Sequence, residues 1–112
     1  MFLEIVTPEA SIFQGEVESV TVPGVDGQFQ MLNNHAPIVS LLQEGNIKIQ
    51  GDLNFDEAYE DRFKSVDKTT SVLNIKSGTI ELNDNKIIIL VDWLLAAVFD
   101  AQATNYKKTP SV

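Results

Sequence analysis

The sequence predicts a mainly β protein: a flattened antiparallel β-sandwich of about ten short strands, followed by one short C-terminal helix. Short runs of β-branched and aromatic residues recur along most of the chain, separated by Gly, Pro and Asn turn signals. Near the end of the chain, an N-capping acid precedes an apolar stretch with helical spacing. The length of 112 residues and the 44% content of hydrophobic residues are typical of one globular domain with a buried core.

The first half of the chain contains six predicted strands that end at turn-forming residues. Pro8 ends the first strand and Gly15 interrupts the second. Pro23 and Gly24 end the third, which has the clearest alternation of the sequence. A turn at 33–35 follows the fourth, because asparagine tolerates left-handed backbone angles. The six strands cover residues 2–6, 11–13, 17–22, 29–32, 38–42 and 46–50.

Residues 51–70 interrupt this rhythm with a polar, acidic segment. Phe55, Tyr59 and Phe63 recur at helical spacing, and Asn54 with Glu57 three residues later resembles a capping box. We therefore favour a short helix or another structured excursion from the sandwich. The aromatic positions also share one parity in the chain, so two long strand arms joined by a hairpin are the alternative.

Strand signals return in the second half, at residues 71–76, 79–82 and 86–91, with a strong turn at 83–85. The run 87–91 is continuously apolar, which predicts a central strand that is covered on both faces.

Asp92 is a good N-cap, and residues 93–103 are expected to form a helix of about three turns. The predicted organisation is a sandwich domain at 1–92, with the excursion at 51–70, and a short helix with a flexible tail at 93–112.

Charge and composition exclude several classes of function. Asp and Glu outnumber Lys and Arg by 16 to 8, and the formal charge of -8 argues against direct binding of nucleic acid or anionic lipid. The chain has no cysteine, which excludes disulfides, thiolate catalysis and Cys-ligated metal centres. We expect no secretory signal or transit peptide, and the most apolar stretch, 87–99, is too short to span a bilayer.

No group of residues forms a recognisable catalytic, cofactor or metal site. His35 is the only histidine, and no nucleophile accompanies it in a motif, so we expect a contact residue. The acids between 52 and 61 lack the spacing and central Gly of a calcium loop, which favours a solvated acidic surface. The segment from Gly24 to Gly27 lacks the Gly-Lys-Ser/Thr of a phosphate loop. These residues indicate a binding or structural module rather than an enzyme acting alone.

A series of short segments carries a resemblance that covers most of the chain, apart from residues 51–70 and the tail. The segments are LEIVTPE from Leu3, IFQGEV from Ile12, VTVPG from Val20, GQFQML from Gly27, HAPIV from His35, SGTIEL from Ser77, and residues 86–92. Their order, with a Pro-Gly turn about a dozen residues before His-Ala-Pro, is the specific feature. The chain resembles the epsilon subunit of F-type rotary ATP synthases.

The resemblance implies the N-terminal β-sandwich domain of that family, a part of the central stalk, or rotor, of a proton-translocating ATP synthase. In the family this domain links the gamma subunit to the c-ring and couples ion flow to ATP synthesis without doing chemistry itself. The implied partners are the gamma subunit and the c-ring, with the catalytic alpha/beta head as a further contact. The implied place is the cytoplasmic face of the bacterial inner membrane, reached only through the complex, with no cofactor and no nucleic acid.

Two turns match family positions that face the c-ring. The resemblance places Gly24, Val25, Asp26, Gly27 and Gln28 on the first turn, and Asn33, Asn34 and His35 on the second. The family often has an acid where Gln28 stands, so a strong ion pair with the ring is not expected at that position.

Two features depart from the family pattern. The segment 51–70 is longer than the usual hairpin there. The family's C-terminal domain is a pair of helices that can inhibit ATP hydrolysis and in some members binds ATP. Because residues 93–112 leave room for one short helix, we expect both the inhibitory arm and the ATP site to be missing.

Two other functions fit the residues: a free-standing β-sandwich module that binds a peptide or glycan, and a regulatory protein that controls an enzyme. A binding module is expected to show an exposed aromatic groove, whereas the aromatic residues here are scattered. Co-purification with gamma and the ring is the observation that separates these functions from a rotor subunit.

Overall fold

The computed structural model describes the backbone of residues 1–94 and the side chains of residues 1–92. In this part of the chain, nine strands and one short 3-10 turn make up the fold, which confirms the predicted mainly β class. The strands are β1 (Phe2–Val6), β2 (Ser11–Glu16), β3 (Ser19–Gly24), β4 (Gly27–Leu32), β5 (Ile38–Leu42), β6 (Gly45–Gln50), β7 (Lys64–Asp67), β8 (Thr70–Asn83) and β9 (Lys86–Leu94).

The strands form one hydrogen-bonded sheet that folds over into a β-sandwich. The main order is β2-β1-β9-β8-β5-β3-β4, while β6 pairs with both β3 and β8, and β7 pairs with β8. The long strand β8 belongs to both layers, because its first half pairs with β6 and β7 and its second half mainly with β5 and β9. It replaces the two separate strands predicted for residues 71–76 and 79–82. One pair, β1 with β9, is parallel rather than antiparallel.

The core lies between the layers and is filled from one face of most strands, while β7 contributes no buried side chain. A period of two places alternate side chains on opposite faces of a strand, and burial follows that period along β1 and β9. Removing each large aliphatic side chain from water stabilises the fold by about 1.5–3 kcal/mol. The large, fully buried side chains are Leu3, Ile5, Ile12, Met31, Ile47, Ile49, Leu73, Ile75, Ile80, Leu82, Ile87 and Ile89.

Strand β9 is buried on one face only, so the predicted coverage of both faces is wrong. Ile87, Ile89 and Val91 point into the core, whereas Ile88 is half-buried and Leu90 is 49% exposed on the outer face. The strand is nevertheless central in the sheet, because it pairs with β1 on one side and β8 on the other.

Residues 51–70 contain no α-helix, and the favoured prediction of a short helix or another structured excursion is met in its second form. An extended stretch leads to a 3-10 turn at Glu60–Arg62, and β7 then pairs with β8 through a tight turn, which realises the hairpin alternative in part. Phe55 and Phe63 stack with ring centroids 4.4 Å apart, and Phe13 lies 5.4 Å and 6.3 Å from them. The excursion therefore covers one part of the core with aromatic side chains.

The turn between β7 and β8 is held by Asp67. Its carboxylate accepts hydrogen bonds from the backbone N–H and the side-chain hydroxyl of Thr69, at 2.9 Å and 3.3 Å. These bonds, the backbone one first, lower the pKa of Asp67. The pKa of Asp67 is therefore lower in the folded than in the unfolded chain. The turn stabilises the fold fully at pH values above the ordinary carboxyl pKa of about 3.9, and this contribution is lost as the pH falls through the lowered pKa.

A glycine is required where β8 passes from one layer to the other. The register between β8 and β9 shifts at Ser77 and Gly78, and a Cβ at Gly78 would lie only 2.5 Å from the Leu90 carbonyl oxygen.

We expect Gly78→Ala to lower the free energy of unfolding by about 1–3 kcal/mol, measured by urea denaturation, because the clash is with backbone. Gly15→Ala is the control, since its Cβ would meet only the Phe13 ring at 3.2 Å. Equal stability of Gly78→Ala and the wild type would contradict this account.

Strand β9 continues to Leu94, two residues beyond the predicted end of the sandwich. Trp93 pairs with Ser77 and Leu94 with Ile75, so Asp92 lies within a strand and is not a helix N-cap. The rest of the predicted helix and the tail, residues 95–112, lie outside the described residues.

Candidate interaction surface

The outer side of the strands β1, β9, β8 and β5 carries an unusual number of apolar side chains. Along one row of the sheet, Val6 pairs with Leu90, Leu90 with Thr79, and Thr79 with Leu41. The next row pairs Ile88 with Glu81 and Glu81 with Val39. We call the outward side chains of Val6, Ile88, Leu90, Val39 and Leu41 the apolar outer face.

Two members of the apolar outer face are among the most exposed apolar side chains of the described residues. Val39 is 77% exposed and Leu41 is 61% exposed. A solvated face of an antiparallel sheet normally carries polar side chains opposite the core. An exposed apolar patch of this kind is typical of a surface that another protein covers.

Charged side chains on this side of the sheet are mostly acidic. Glu4 and Glu81 lie in the same row as Ile88 and Val39. Lys86 also lies on this side of β9, with its ammonium 5.6 Å from the centre of the Phe2 ring. A partner that covers this face is therefore expected to be mainly apolar, with basic side chains opposite Glu4 and Glu81.

The outer side of the other layer has the ordinary polar composition. Its outward positions are mainly polar, such as Thr21, Gln30, Lys48, Asn74 and Lys76, but they also include the half-buried Val72 and the 56% exposed Leu32. The two outer sides thus differ in polarity, and the apolar outer face is the one that fits burial against a partner better.

The first predicted turn lies at one end of the apolar outer face. Val25 and Asp26 form the two-residue connection between β3 and β4, with Gly24 opposite Gly27. The Val25 N–H donates to the Leu41 carbonyl oxygen at 3.1 Å, and the Val25 side chain is 47% exposed. This turn therefore extends the apolar outer face and adds the exposed carboxylate of Asp26.

The glycines of this turn are needed for its shape. Gly27 has a φ of +128°, which favours glycine, and a Cβ on Gly24 would lie 2.8 Å from the Gly27 carbonyl oxygen. Gln28 follows on β4, opposite Pro23, with its side chain exposed.

The second predicted turn lies at the other end of β4, so the structure does not bring the two turns together. Asn34 has a φ of 65°, and the His35 N–H donates to the Leu32 carbonyl oxygen at 3.1 Å. The His35 ring Nδ1 lies 2.7 Å from the Ala36 carbonyl oxygen. The two turns therefore lie at opposite ends of β4, in two separate regions of the surface.

Side-chain hydrogen bonds tie this second turn to the turn before β9. Asn85 donates from Nδ2 to the Asn33 Oδ1 at 2.8 Å, and its Oδ1 accepts from the Asn34 N–H at 2.8 Å. The Met1 ammonium also donates to Asn33, at 3.1 Å, and to Glu16 at the same distance. Asn33 is therefore engaged within the protein, while the His35 side chain is exposed.

We expect Asn85→Gly to lower the free energy of unfolding by about 1–2 kcal/mol, because both side-chain hydrogen bonds are lost. Glycine keeps the positive φ of 60° that Asn85 adopts, so backbone strain does not contribute. Urea denaturation gives the loss. Asp84→Gly, at a φ of 50° with no side-chain hydrogen bond among the described residues, is the control and should be close to the wild type.

The described residues hold no group of three or more side chains with the geometry of a metal site. A shallow cleft of about 280 Å³ lies between β2 and the excursion, lined by Ser11, Ile12, Phe13, Gln14, Asn54 and Asp56. None of the helical segments described is long and apolar enough to cross a membrane.

The apolar outer face was missed by reasoning from the sequence. A signal exists: residues 27–43 contain no Asp, Glu, Lys or Arg, although most of them are exposed. In an acidic chain, such an uncharged exposed stretch indicates an interaction surface.

Comparison with known proteins identifies the family. The family described as "ATP synthase, Delta/Epsilon chain, beta-sandwich domain" matches residues 1–59. The ATP synthase epsilon chain of Chlorobium limicola is 37% identical over 90 residues, which cover 80% of this chain and 86% of that protein. The chain belongs to the ATP synthase epsilon-chain family. The epsilon chain of Campylobacter fetus is 38% identical over 90 residues, but the match covers only 59% of that longer protein.

Solved structures show the same fold as this epsilon-family chain. A chain of the Tetrahymena thermophila mitochondrial ATP synthase, from a structure of its central stalk and c-ring, superposes with a TM-score of 0.64 at 17% identity, covering 96% of this chain and 74% of that one. A chain of the Euglena gracilis mitochondrial ATP synthase superposes with a TM-score of 0.60 at 19% identity, covering 80% and 48%.

Proposed function

We propose that this epsilon-family chain is a central-stalk subunit of a proton-translocating F-type ATP synthase, where it links the gamma subunit to the c-ring. It couples ion flow to ATP synthesis as a non-catalytic part of the rotor. The observation that carries the proposal is the apolar outer face. Exposed apolar side chains that lie together, such as Val39 and Leu41, are typical of a surface that a partner protein covers.

The gamma subunit is the proposed partner of the apolar outer face. The side chains of this face lie on β1, β9 and β5, on the two sides of Thr79 and Glu81 of β8, and apolar area makes up the larger part of a permanent interface. The acids Glu4 and Glu81 then pair with basic side chains of the gamma surface, which fixes orientation more than affinity.

The c-ring is the proposed partner of the two turns. The turn from Gly24 to Gln28 offers the Asp26 carboxylate to a basic loop of the ring, and the turn from Asn33 to His35 offers the exposed His35 ring. Because the two turns lie at opposite ends of β4, they make separate contacts. The complex then lies at the cytoplasmic face of a bacterial inner membrane, and this chain reaches the membrane only through it.

Co-purification tests this function. A tagged copy of the chain, expressed in its own host, is captured from detergent-solubilised membranes, and the bound proteins are identified by mass spectrometry. We expect gamma, the c-ring and the catalytic head to be recovered together. Recovery of the chain alone, or with a peptide- or glycan-bearing protein instead, would contradict the proposal and support a free-standing binding module.

A further inference from the structure

Among residues 1–94, strand β4 is an open edge of the sheet, and it differs from two of the other edge strands, β2 and β7. β2 and β7 each pair with a single neighbour through a register that contains an irregularity, and both carry charged residues, Glu16 on β2 and Lys64 and Asp67 on β7. Irregular register and charge are the usual devices that prevent an edge from pairing with another strand. β4 pairs only with β3, in unbroken register from Leu32 to Gly27, and carries no charge.

The hydrogen-bonding pattern shows which groups of β4 face outward. Gln28 lies opposite Pro23, which has no N–H, and the Pro23 carbonyl oxygen accepts instead from the Gln43 N–H at 2.9 Å. Gln28 is therefore a non-hydrogen-bonded position, and by alternation Gln30 and Leu32 are as well. The N–H groups of these three residues point to the free edge.

Within residues 1–94, the outward backbone N–H and carbonyl groups of β4 have no hydrogen-bond partner, apart from the Leu32 carbonyl oxygen. That oxygen accepts a hydrogen bond from the His35 N–H. Leu32 itself is 56% exposed. A flat, uncharged edge with free backbone donors and acceptors is a template for an additional strand.

We propose that β4 binds an extended segment of another ATP synthase subunit as an added β-strand. This proposal rests on the proposed function, because it assigns a partner segment to a second surface of the same stalk subunit. The segment is uncharged where it lies against Gln28 and Gln30, and it carries a Lys or Arg where it passes the Asp26 carboxylate. A different subunit is favoured over a second copy, because two copies of a chain with a formal charge of -8 repel each other.

Amide hydrogen exchange tests the added strand. The tagged chain is measured alone and in the purified ATP synthase. We expect the amides of Gln28, Gln30 and Leu32 to exchange at least about tenfold more slowly in the complex, because each gains a partner. The amides of β7 (Lys64–Asp67), a charged edge, are the internal control and should change little.

The outcomes separate this proposal from the function on which it rests. Co-purification without slower exchange at β4 overturns the added strand and leaves the stalk function standing. Slower exchange that appears in the isolated chain as its concentration rises would show a second copy on β4, which also overturns the proposal. Failure to co-purify overturns both.

A proline variant tests the same edge without relying on exchange. Gln30→Pro removes an outward N–H and no hydrogen bond to β3, so edge strands tolerate it. We expect at least about fivefold less recovery with the complex, one backbone hydrogen bond being lost. Val66→Pro on β7 is the matched control, since Val66 has no paired residue on β8. Wild-type recovery of Gln30→Pro would overturn the proposal, and if this variant does not fold, exchange in the unaltered chain decides.

Discussion

Replacing Ile89 by alanine is expected to lower the free energy of unfolding of the isolated chain by about 2–5 kcal/mol. Ile89 is fully buried and lies in the middle of β9, paired with Ile5 on β1 and with Ile80 on β8. Both partners are themselves buried, so the removed atoms leave a cavity that the two neighbouring strands cannot close. Urea denaturation followed by circular dichroism measures the loss.

The matched control is Ile88→Ala, one residue earlier on the same strand. Its side chain is half-buried on the outer face, so truncation loses some packing but opens no cavity in the core. We expect a loss of roughly 1 kcal/mol, which is the ordinary range for a partly exposed site. Equal losses for the two variants would contradict the assignment of β9 to one buried and one outer face.

The run 87–91 shows why this distinction could not be predicted from the sequence. Continuous apolar residues on a strand indicate burial on both sides, and the sequence cannot say whether the second cover is another layer of the same chain or another protein. In this sandwich the inner face is covered by the fold. Ile88 and Leu90 belong to the apolar outer face that we assign to the gamma subunit. The run is therefore apolar on one side because of the core and on the other side because of the proposed partner.

The excursion shows a different limit. Phe55 and Tyr59 pack against the core, and Phe63 is buried in it. Residues four positions apart lie on the same face of a helix and also on the same face of a strand. The spacing alone therefore does not decide between a helical and an extended backbone. Contact with Phe13, about 40 or more residues earlier in the chain, fixes the extended backbone, and local signals do not contain such a contact.

The turns were the most predictable part of the candidate surface. Asn34, Asp84 and Asn85 adopt positive φ, as the clusters of Asn and Asp indicated. What these turns bond to was not predictable, since Asn85 contacts Asn33 across 52 residues of sequence. The apolar outer face was not predictable either, because only the pairing of the strands brings Leu41 and Leu90 to the two sides of Thr79.

Replacing Val39 by lysine is expected to prevent stable assembly while the isolated chain stays folded. Val39 is 77% exposed and lies directly opposite Glu81 on β8, so a lysine there gains a cross-strand ion pair and loses little burial. The free energy of unfolding should change by no more than about 0.5 kcal/mol. In the complex the ammonium would instead be covered by an apolar surface that carries a basic side chain opposite Glu81, which costs desolvation and adds repulsion. We expect at least about tenfold less of this variant in solubilised ATP synthase, which corresponds to about 1.4 kcal/mol.

Val66→Lys tests whether that loss belongs to the apolar outer face. Val66 is also an exposed valine, at 59%, but it lies on β7 at the edge of the other layer. The two variants add the same charge at similar exposure, so a general effect of charge or solubility would reduce recovery of both. If recovery falls only for Val39→Lys, the apolar outer face is the surface that binds gamma. If both variants assemble normally, the apolar outer face is not buried in the enzyme, and the subunit must be held in the stalk through its turns and the edge of β4.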